Sequence, residues 1–311
     1  MDIFSMILIV LGLTVFEIIN SVDNAVINAE VLGKVSQKAR KWFLLWGMVI
    51  AVFLVRGLLP LIIIYATNPS LGIMGALTAT FSSNPAVAEA MDASAPILLG
   101  GAGIFLLFLF LHWLFLEDKH FGLPHEKFFM RQGVWFFASV SILLAVIVWY
   151  SIKLNPLMAF GAVVGSTAFF ITHGFKENAE KVEEQMVTGK GNMSDISKIL
   201  YLEVIDATFS IDGVLGAFAF TLSVPLILIG NGIGAYCVRK ITMGNIERVK
   251  KYKYLKNGAM YSILALGIVM TADAFGVHIP TWVSPVITFA VLGYFLHKSW
   301  KAIKANIQQT N

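Results

Sequence analysis

The amino-acid sequence predicts an all-α, polytopic membrane protein. Apolar residues make up 57% of the 311 residues and charged residues only 14%, whereas charged residues are about a quarter of a soluble domain. The apolar residues are concentrated in long segments that are separated by shorter, more polar connections. Because so few charged side chains are available to cover a water-exposed surface, we expect the helices to lie in a lipid bilayer.

Nine of the apolar segments are long enough to cross a bilayer as helices, which takes roughly 17 to 25 residues. The first segment has no basic region in front of it and no small-residue cleavage site, so we expect a retained span rather than a signal peptide. Together the segments predict a single transmembrane domain in a multi-pass protein of the cell membrane. The predicted spans are 5–32, 42–66, 97–116, 133–152, 156–175, 199–222, 223–238, 258–275 and 282–298.

The positions of the basic residues predict that the N-terminus is outside and the C-terminus inside. In that orientation all but two of the 23 Lys and Arg residues fall in cytoplasmic loops or the C-terminal tail, as the positive-inside rule requires. The exceptions are Lys153, in an external loop, and Arg56, in the second span. The basic run 239–256 is interpreted as an orientation-determining loop, with binding of anionic lipid headgroups as the alternative. No nucleic-acid-binding signature accompanies it, so we expect no nucleic-acid partner.

Two short stretches place acids and small polar residues inside otherwise apolar spans. Each has an acid, a Ser four residues later, a second acid two residues after the Ser, and then a small or polar residue. The second stretch begins 189 positions after the first. The first stretch contains Glu17, Asn20, Ser21, Asp23 and Asn24, and the second contains Asp206, Ser210, Asp212 and Gly213, with Glu203 just before it.

The two stretches are predicted to belong to an inverted internal repeat. The first span runs from outside to inside and the sixth from inside to outside, so the two copies are antiparallel. Many secondary transporters are built from such repeats, with the substrate near the bilayer midplane at the repeat interface. We predict a first repeat at about 3–116 and a second at about 198–298, with four carboxylates around one centre.

Helical spacing places most of these polar residues on one face of each span. One stripe holds Glu17, Asn20, Ser21, Asn24 and Asn28, and the other holds Glu203, Asp206, Ser210 and Gly213. Asp23 and Asp212 fall about 120° away from the stripes at about 100° per residue. We therefore expect either that these two acids face other neighbours or that the helix unwinds locally.

Buried carboxylates need compensation, because each costs about 2.5 to 3.5 kcal/mol at the centre of a membrane helix. A bound divalent cation, protonation or a basic partner would supply it. Arg56 is the candidate partner, and we interpret it as a structural counter-ion, with a gating or coupling role as the alternative. A single Arg cannot neutralise four acids.

The candidate ligands are all oxygen atoms, which favours manganese, magnesium or calcium over copper or zinc. A single cysteine, Cys237, excludes an internal disulfide, and we expect no prosthetic group. Two other polar residues leave alternatives open. His173 is expected at the inner interface, with a proton relay as the alternative. Asn231 is expected in close helix packing, with a ligand role as the alternative.

The segment Ser21-Val22-Asp23-Asn24 preceded by Glu17, together with the later segment from Asp206 to Asp212, resembles the two signature regions of the TerC family, in the LysE-type transporter superfamily. The chain departs from the family pattern at Gly213, where members usually have Ser followed by Ile-Pro. The resemblance implies a manganese exporter or related divalent-metal transporter. It implies metal-site residues Glu17, Asp23, Asn24, Asp206, Ser210 and Asp212. Their positions on the stripes and the need for a counter-ion add Asn20, Ser21, Glu203 and Arg56 as secondary candidates.

We predict manganese efflux by alternating access around the midplane carboxylates, with magnesium or calcium as alternative substrates and protons or sodium as candidate coupling ions. We expect no enzymatic activity. A membrane scaffold or assembly factor is the main alternative function. A di-aspartyl intramembrane protease is a lesser alternative, because its Gly-x-Gly-Asp signature is absent from the sequence.

Overall fold

Every secondary-structure element described in the computed structural model is a helix or a turn. The structure describes residues 2–47, 49–50, 57–58, 62, 65–66, 69, 72, 74, 85–119, 121–188, 194–244, 249 and 251–310. Most of the predicted second span, with Arg56, lies outside these residues, as does much of the connection between the second and third spans.

The α-helices are numbered in chain order within the described residues. A π-helical segment, Phe43–Gly47, follows α3, and a 3-10 turn, Gly133–Trp135, precedes α6. The helices are α1 (Ile3–Asn20), α2 (Val22–Leu32), α3 (Gln37–Trp42), α4 (Pro85–Leu116), α5 (Pro124–Met130), α6 (Phe136–Leu154), α7 (Pro156–Thr188), α8 (Asp195–Ala217), α9 (Val224–Gly244), α10 (Leu255–Ala274) and α11 (Val283–Thr310).

Six of these helices are long and apolar enough to cross a membrane, which confirms that the chain is a membrane protein. Helix α8, with 23 residues, is long enough to span, but the acids of the second motif make it more polar than the six. Helix α11, with 28 residues, is also long enough. The six candidate spans are Ile3–Asn20, Ala93–Leu116, Gly133–Leu154, Pro156–Lys176, Val224–Thr242 and Leu255–Ala274.

The first predicted span is interrupted in the middle of its motif. Helix α1 ends at Asn20 and α2 begins at Val22, with Ser21 between them at φ −94° and ψ 0°. The backbone N–H of Ser21 still donates to the Glu17 carbonyl at 3.1 Å. The interruption is therefore one residue long. It corresponds to the local unwinding of the helix, one of the two alternatives that the sequence left open for this motif. Helix α8, in contrast, is continuous through the second motif.

Helix α4 lies at the centre of the helices, with 89% of its apolar segment buried. It packs against α7 through main-chain atoms: a Cβ atom placed on Gly165 would lie only 2.0 Å from the Gly101 carbonyl oxygen, and one on Gly161 only 2.5 Å from the Ile97 carbonyl oxygen. From one contact to the next, the residue numbers rise on both helices, so α4 and α7 are parallel. Glycines allow this close approach of two membrane helices.

Helix α1 crosses α8 in the antiparallel direction. A Cβ atom on Gly12 would lie 2.9 Å from the Phe220 ring, which follows α8, and one on Gly216 would lie 2.4 Å from the Phe16 ring. One on Gly213 would lie 3.1 Å from the Glu17 carboxylate. As residue numbers rise along α1, those of its contacts fall, so the two motif-bearing helices meet at their motifs and run in opposite directions.

Candidate functional site

Glu17, the first acid of the first motif, is deeply buried, with 1% of its surface exposed. The Ser21 hydroxyl donates to its Oε1 atom at 2.7 Å. On the α9 side, a Cβ atom on Gly234 would lie 2.6 Å from both Cβ and Cγ of Glu17. Glycine at 234 therefore makes the space that the Glu17 side chain occupies between α1 and α9.

Gly213 faces the same carboxylate from α8. A Cβ atom at this position would lie 3.1 Å from Glu17 Oε2 and 3.7 Å from the Asn20 amide nitrogen. Glu17 and Asn20, from the first motif, and the backbone of the second motif are thus in contact. The position at which the sequence departs from the TerC pattern is also the position at which the two motifs touch.

Asp206 of the second motif has a basic partner. Arg239 Nη2 lies 3.4 Å from Asp206 Oδ2, and Arg239 Nη1 donates to the Phe43 carbonyl at 2.7 Å. The guanidinium also lies over the Phe43 ring, 4.5 Å from its centroid. Arg239 therefore joins α8, α9 and the π-helical segment at one point.

The sequence interpretation of Arg239 was wrong about its surroundings. We placed it in an orientation-determining loop, but only 8% of its surface is exposed and it lies within α9. The signal that could have identified it is helical spacing, because Arg239 follows Asn231 and Ala235 by two turns and one turn on the buried face of the same helix.

Glu203, one turn before Asp206, packs against the π-helical segment. Only 8% of its surface is exposed, and neither carboxylate oxygen has a hydrogen-bond partner within the described part of the chain. A Cβ atom on Gly47 would overlap Glu203 Oε1. Glu203, a secondary candidate in the sequence, thus presents a buried carboxylate beside the Asp206–Arg239 pair.

Asn231 lies on the buried face of α9 between Gly230 and Gly234, the two glycines that contact α1. Its exposed fraction is 0%, and neither its Oδ1 nor its Nδ2 atom has a hydrogen-bond partner among the described residues. A buried amide without partners is unfavourable. Asn231 is therefore available to a ligand, which is the alternative that the sequence left open.

The two remaining described candidates of the second motif do not join this group. The Ser210 hydroxyl donates to the Asp206 carbonyl of its own helix at 2.6 Å. Asp212 lies on another face of the continuous helix α8, where it lines a cleft with Phe169, His173 and Lys176. It therefore meets a different set of neighbours, which is the first of the two alternatives for this residue.

Glu17, Asp206 and Glu203 lie one after another along α8 rather than around one centre. We call these three acids, together with Asn20 and Asn231, the column. Gly213, where Glu17 approaches, follows Glu203 by ten residues, or about 15 Å along a helix. Within the described residues no three His, Cys, Asp or Glu side chains are grouped closely enough to hold a metal ion together. The side chains of Asp23 and Asn24, with Arg56, lie outside the described part of the chain. The expected convergence of four carboxylates is thus not seen among the acids that are described.

Comparison with known proteins places the chain in a family. The uncharacterized membrane protein YceF of Bacillus subtilis (strain 168) is 29% identical over 98 residues, which are 32% of this chain and 38% of that relative. The chain thus spans well under half the length of this relative. No solved structure matches it. One family profile matches residues 22–306, most of the chain. The chain belongs to the family described as "Protein of unknown function (DUF475)".

Proposed function

We propose that the protein transports a divalent metal cation across the membrane, with manganese as the substrate. The observation that carries the proposal is the contact between the two polar motifs, where the buried Glu17 carboxylate of α1 lies against Gly213 of the antiparallel helix α8. Acids inside a membrane domain are costly and generally mark ion pathways. A cation that moves along the column would compensate each carboxylate in turn.

The polar groups along the column suit a hard cation. Glu17, Glu203 and Asp206 offer carboxylate oxygens, and Asn20 and Asn231 add amide oxygens, which are ligands that manganese, magnesium and calcium accept. The resemblance to the TerC family selects manganese among these. The column holds no thiol or imidazole among its described residues, which disfavours copper and zinc.

Arg239 provides the compensating charge in the absence of metal. Its guanidinium contacts Asp206 and lies near Glu203, so it occupies the position where a divalent cation would be attracted. Entry of the cation at Asp206 competes with this contact. We propose that release of Arg239 from Asp206 also loosens its bond to the Phe43 carbonyl, and that this opens the π-helical segment at one end of the column.

Flux measurements test the proposal. Purified protein in liposomes that enclose a manganese-sensitive dye should admit manganese, and Glu17→Gln and Asp23→Asn should abolish the flux. Asp273→Asn, which changes an acid in α10 away from the column, is the matched control and should retain wild-type flux. Wild-type protein that moves no manganese would contradict the transport function and favour a scaffold or assembly role. Equal flux in wild type and Glu17→Gln would contradict the residue assignment.

A further inference from the structure

A groove lies along one face of α6, near the end of that helix. Its volume is about 440 Å³, which is within the range of small-molecule sites, about 300 to 1,000 Å³. The residues of α6 that line it recur every three or four positions, so they share one face of the helix. We call this cavity the α6 groove. It is lined by Val146, Ile147, Tyr150, Lys153 and Leu154 of α6 and by Phe275, which follows α10.

The wall that Phe275 forms is fixed in position by the end of α10. The backbone N–H of Phe275 donates to the carbonyls of Thr271 and Ala272, at 3.2 and 3.1 Å. Gly276, the next residue, has a φ of 86°, a conformation that favours glycine, and its N–H donates to the Asp273 carbonyl at 2.9 Å. A hydrogen-bonded helix end therefore holds Phe275 at the groove.

Lys153 brings a positive charge to one end of the α6 groove. It lies in the last turn of α6, and its ammonium group is 5.1 Å from the Trp149 ring centroid and 6.0 Å from that of Tyr150. Within the described residues Lys153 forms no ion pair. Aromatic rings attract a cation without neutralising it, so the charge stays available to an anion. Lys153 is also an exception to the predicted positive-inside pattern, so membrane orientation does not account for it.

The position of Lys153 in α6 places its charge at the surface of the bilayer. The candidate span Gly133–Leu154 ends one residue after Lys153. Trp149 and Tyr150 are exposed, as is common for aromatic residues at a membrane–water interface. Val146, at the other end of the groove, precedes Lys153 by two turns, or about 10 Å along the helix. The α6 groove thus runs from the level of the lipid headgroups into the hydrocarbon region, with its cation at the headgroup end.

Both ends of the α6 groove match a lipid that carries a net negative charge. The apolar walls suit an acyl chain, and the ammonium group of Lys153 suits a phosphate. In a zwitterionic lipid a cation in the headgroup neutralises the phosphate, whereas an anionic phospholipid keeps its charge for the lysine. The dipole of α6 also favours a cation in the last turn, but it does not require an apolar groove beside that cation.

We propose that the α6 groove is a binding site for an anionic phospholipid, with an acyl chain along Val146 and Tyr150 and the headgroup phosphate at Lys153. The site lies between α6 and the end of α10, and both of these helices pack against α4. The bound lipid therefore fills a space that the protein leaves between two helices. This inference goes beyond cation transport and does not depend on it.

Photo-crosslinking tests the site and the headgroup together. The full chain is placed in phosphatidylcholine nanodiscs that contain a trace of phosphatidylglycerol with a diazirine in one acyl chain, and cross-linked peptides are identified by mass spectrometry. The same diazirine lipid with a choline headgroup is the second probe. Lys153→Gln removes the charge, and Val146→Trp fills the groove from an exposed position. Lys304→Gln is the matched control, because Lys304 is another exposed lysine that lies over a tryptophan ring.

We expect the phosphatidylglycerol probe to cross-link wild type and Lys304→Gln mainly at residues 146–154, and the choline probe to do so more weakly. Lys153→Gln should lower the preference for phosphatidylglycerol about fivefold, which is the attraction that one lysine near a membrane surface supplies. Val146→Trp should lose the cross-links of both probes at the groove while eluting like wild type in size-exclusion chromatography. If that variant does not fold, Lys153→Gln decides the matter.

Three results would overturn the inference. Cross-links spread evenly over the lipid-facing helices of wild type would show that only bulk lipid surrounds α6. Equal cross-linking of wild type by the two probes would show that the groove does not select an anionic headgroup. Equal loss of preference in Lys153→Gln and Lys304→Gln would show a general attraction between basic residues and anionic lipid, without a site.

Discussion

Arg239 and Asp206 form an ion pair between α9 and α8, with 3.4 Å between Nη2 and Oδ2. The same guanidinium donates to the Phe43 carbonyl and lies over the Phe43 ring. The Arg239 side chain is positively charged, like the proposed metal substrate, and it contacts the Asp206 carboxylate to which the metal would bind. The protein therefore carries its own competitor for the cation column.

Removal of this charge should destabilise the metal-free protein. Arg239→Gln leaves the carboxylates of Asp206 and Glu203 without a buried cation, and breaking such a pair costs about 3 to 5 kcal/mol. We expect a lower Tm in detergent, and partial recovery when manganese is added. Lys240→Gln, which removes the next and exposed basic residue, is the control. A Tm of Arg239→Gln equal to that of Lys240→Gln would show that the pair contributes nothing.

Ser21→Ala should weaken manganese binding without unfolding the protein. The Ser21 hydroxyl orients Glu17 through its hydrogen bond to Oε1, and loss of a group that orients a ligand typically lowers metal affinity by about 10- to 100-fold. Isothermal titration calorimetry in detergent measures the change in Kd. The control is Thr167→Ala, because the Thr167 hydroxyl donates to the Val163 carbonyl of its own helix, on an exposed face. Unchanged affinity in Ser21→Ala would remove Glu17 from the binding site.

Gly213→Ser and Gly213→Ala separate the effect of volume from that of a hydroxyl group. Any Cβ atom at this position comes within 3.1 Å of Glu17 Oε2, so both variants crowd the carboxylate. Only Ser can also donate a hydrogen bond to it. We expect Gly213→Ala to weaken manganese binding, and Gly213→Ser to retain binding and change the preference for manganese over magnesium. Competition between the two ions in a binding assay measures this preference, and identical behaviour of the two variants would contradict the role of the hydroxyl.

The stability of the protein should rise with pH above about 8 because of Lys119. Burial lowers the pKa of this lysine from 10.5 to about 8, although Glu117 and Glu126 oppose the change. Between these two values the unfolded chain binds a proton that the folded protein has released, so the free energy of unfolding increases as pH rises. Unfolding in denaturant from pH 7 to 10.5 measures the increase.

Lys119→Gln should abolish this part of the pH dependence. Its matched control is Lys127→Gln, which changes an exposed lysine on α5 and should leave the pH dependence unchanged. If both variants keep the wild-type increase, another group is responsible for it.

The membrane-protein class and most of the described spans could be predicted from the sequence. Helices that lie in lipid need long apolar segments, and such segments are visible directly in the amino-acid composition. The burial of Glu17 could also be predicted, because this residue lies near the middle of the predicted span 5–32, away from the loops at its ends. For Asp212 the sequence left two alternatives, a different set of neighbours or a locally unwound helix. The structure decides between them, because α8 is continuous through this residue. Each of these predictions needs only the composition and spacing of residues that are close together in the sequence.

Contacts between distant helices could not be predicted in the same way. Arg239 was assigned by its place at the end of an apolar segment, and nothing near it in the sequence indicates that it reaches Asp206, 33 positions earlier. Glu203 likewise lies against Gly47 of a different helical segment, and neither residue has a neighbouring motif that indicates the other. Such pairs depend on how helices pack, and the relevant packing here is made by glycines, which are common in membrane helices for several reasons.

The main-chain contact between α4 and α7 has a mechanical consequence. At Gly101 and Gly165 the two backbones are in direct contact, so no side chain at that point can change rotamer to let one helix shift against the other. One turn further along, the Phe105 and Phe169 rings of the same two helices pack against each other, 5.9 Å between their centroids. We therefore expect α4 and α7 to move together, and any rearrangement that separates the two motifs to come from α1 or α8 moving against them.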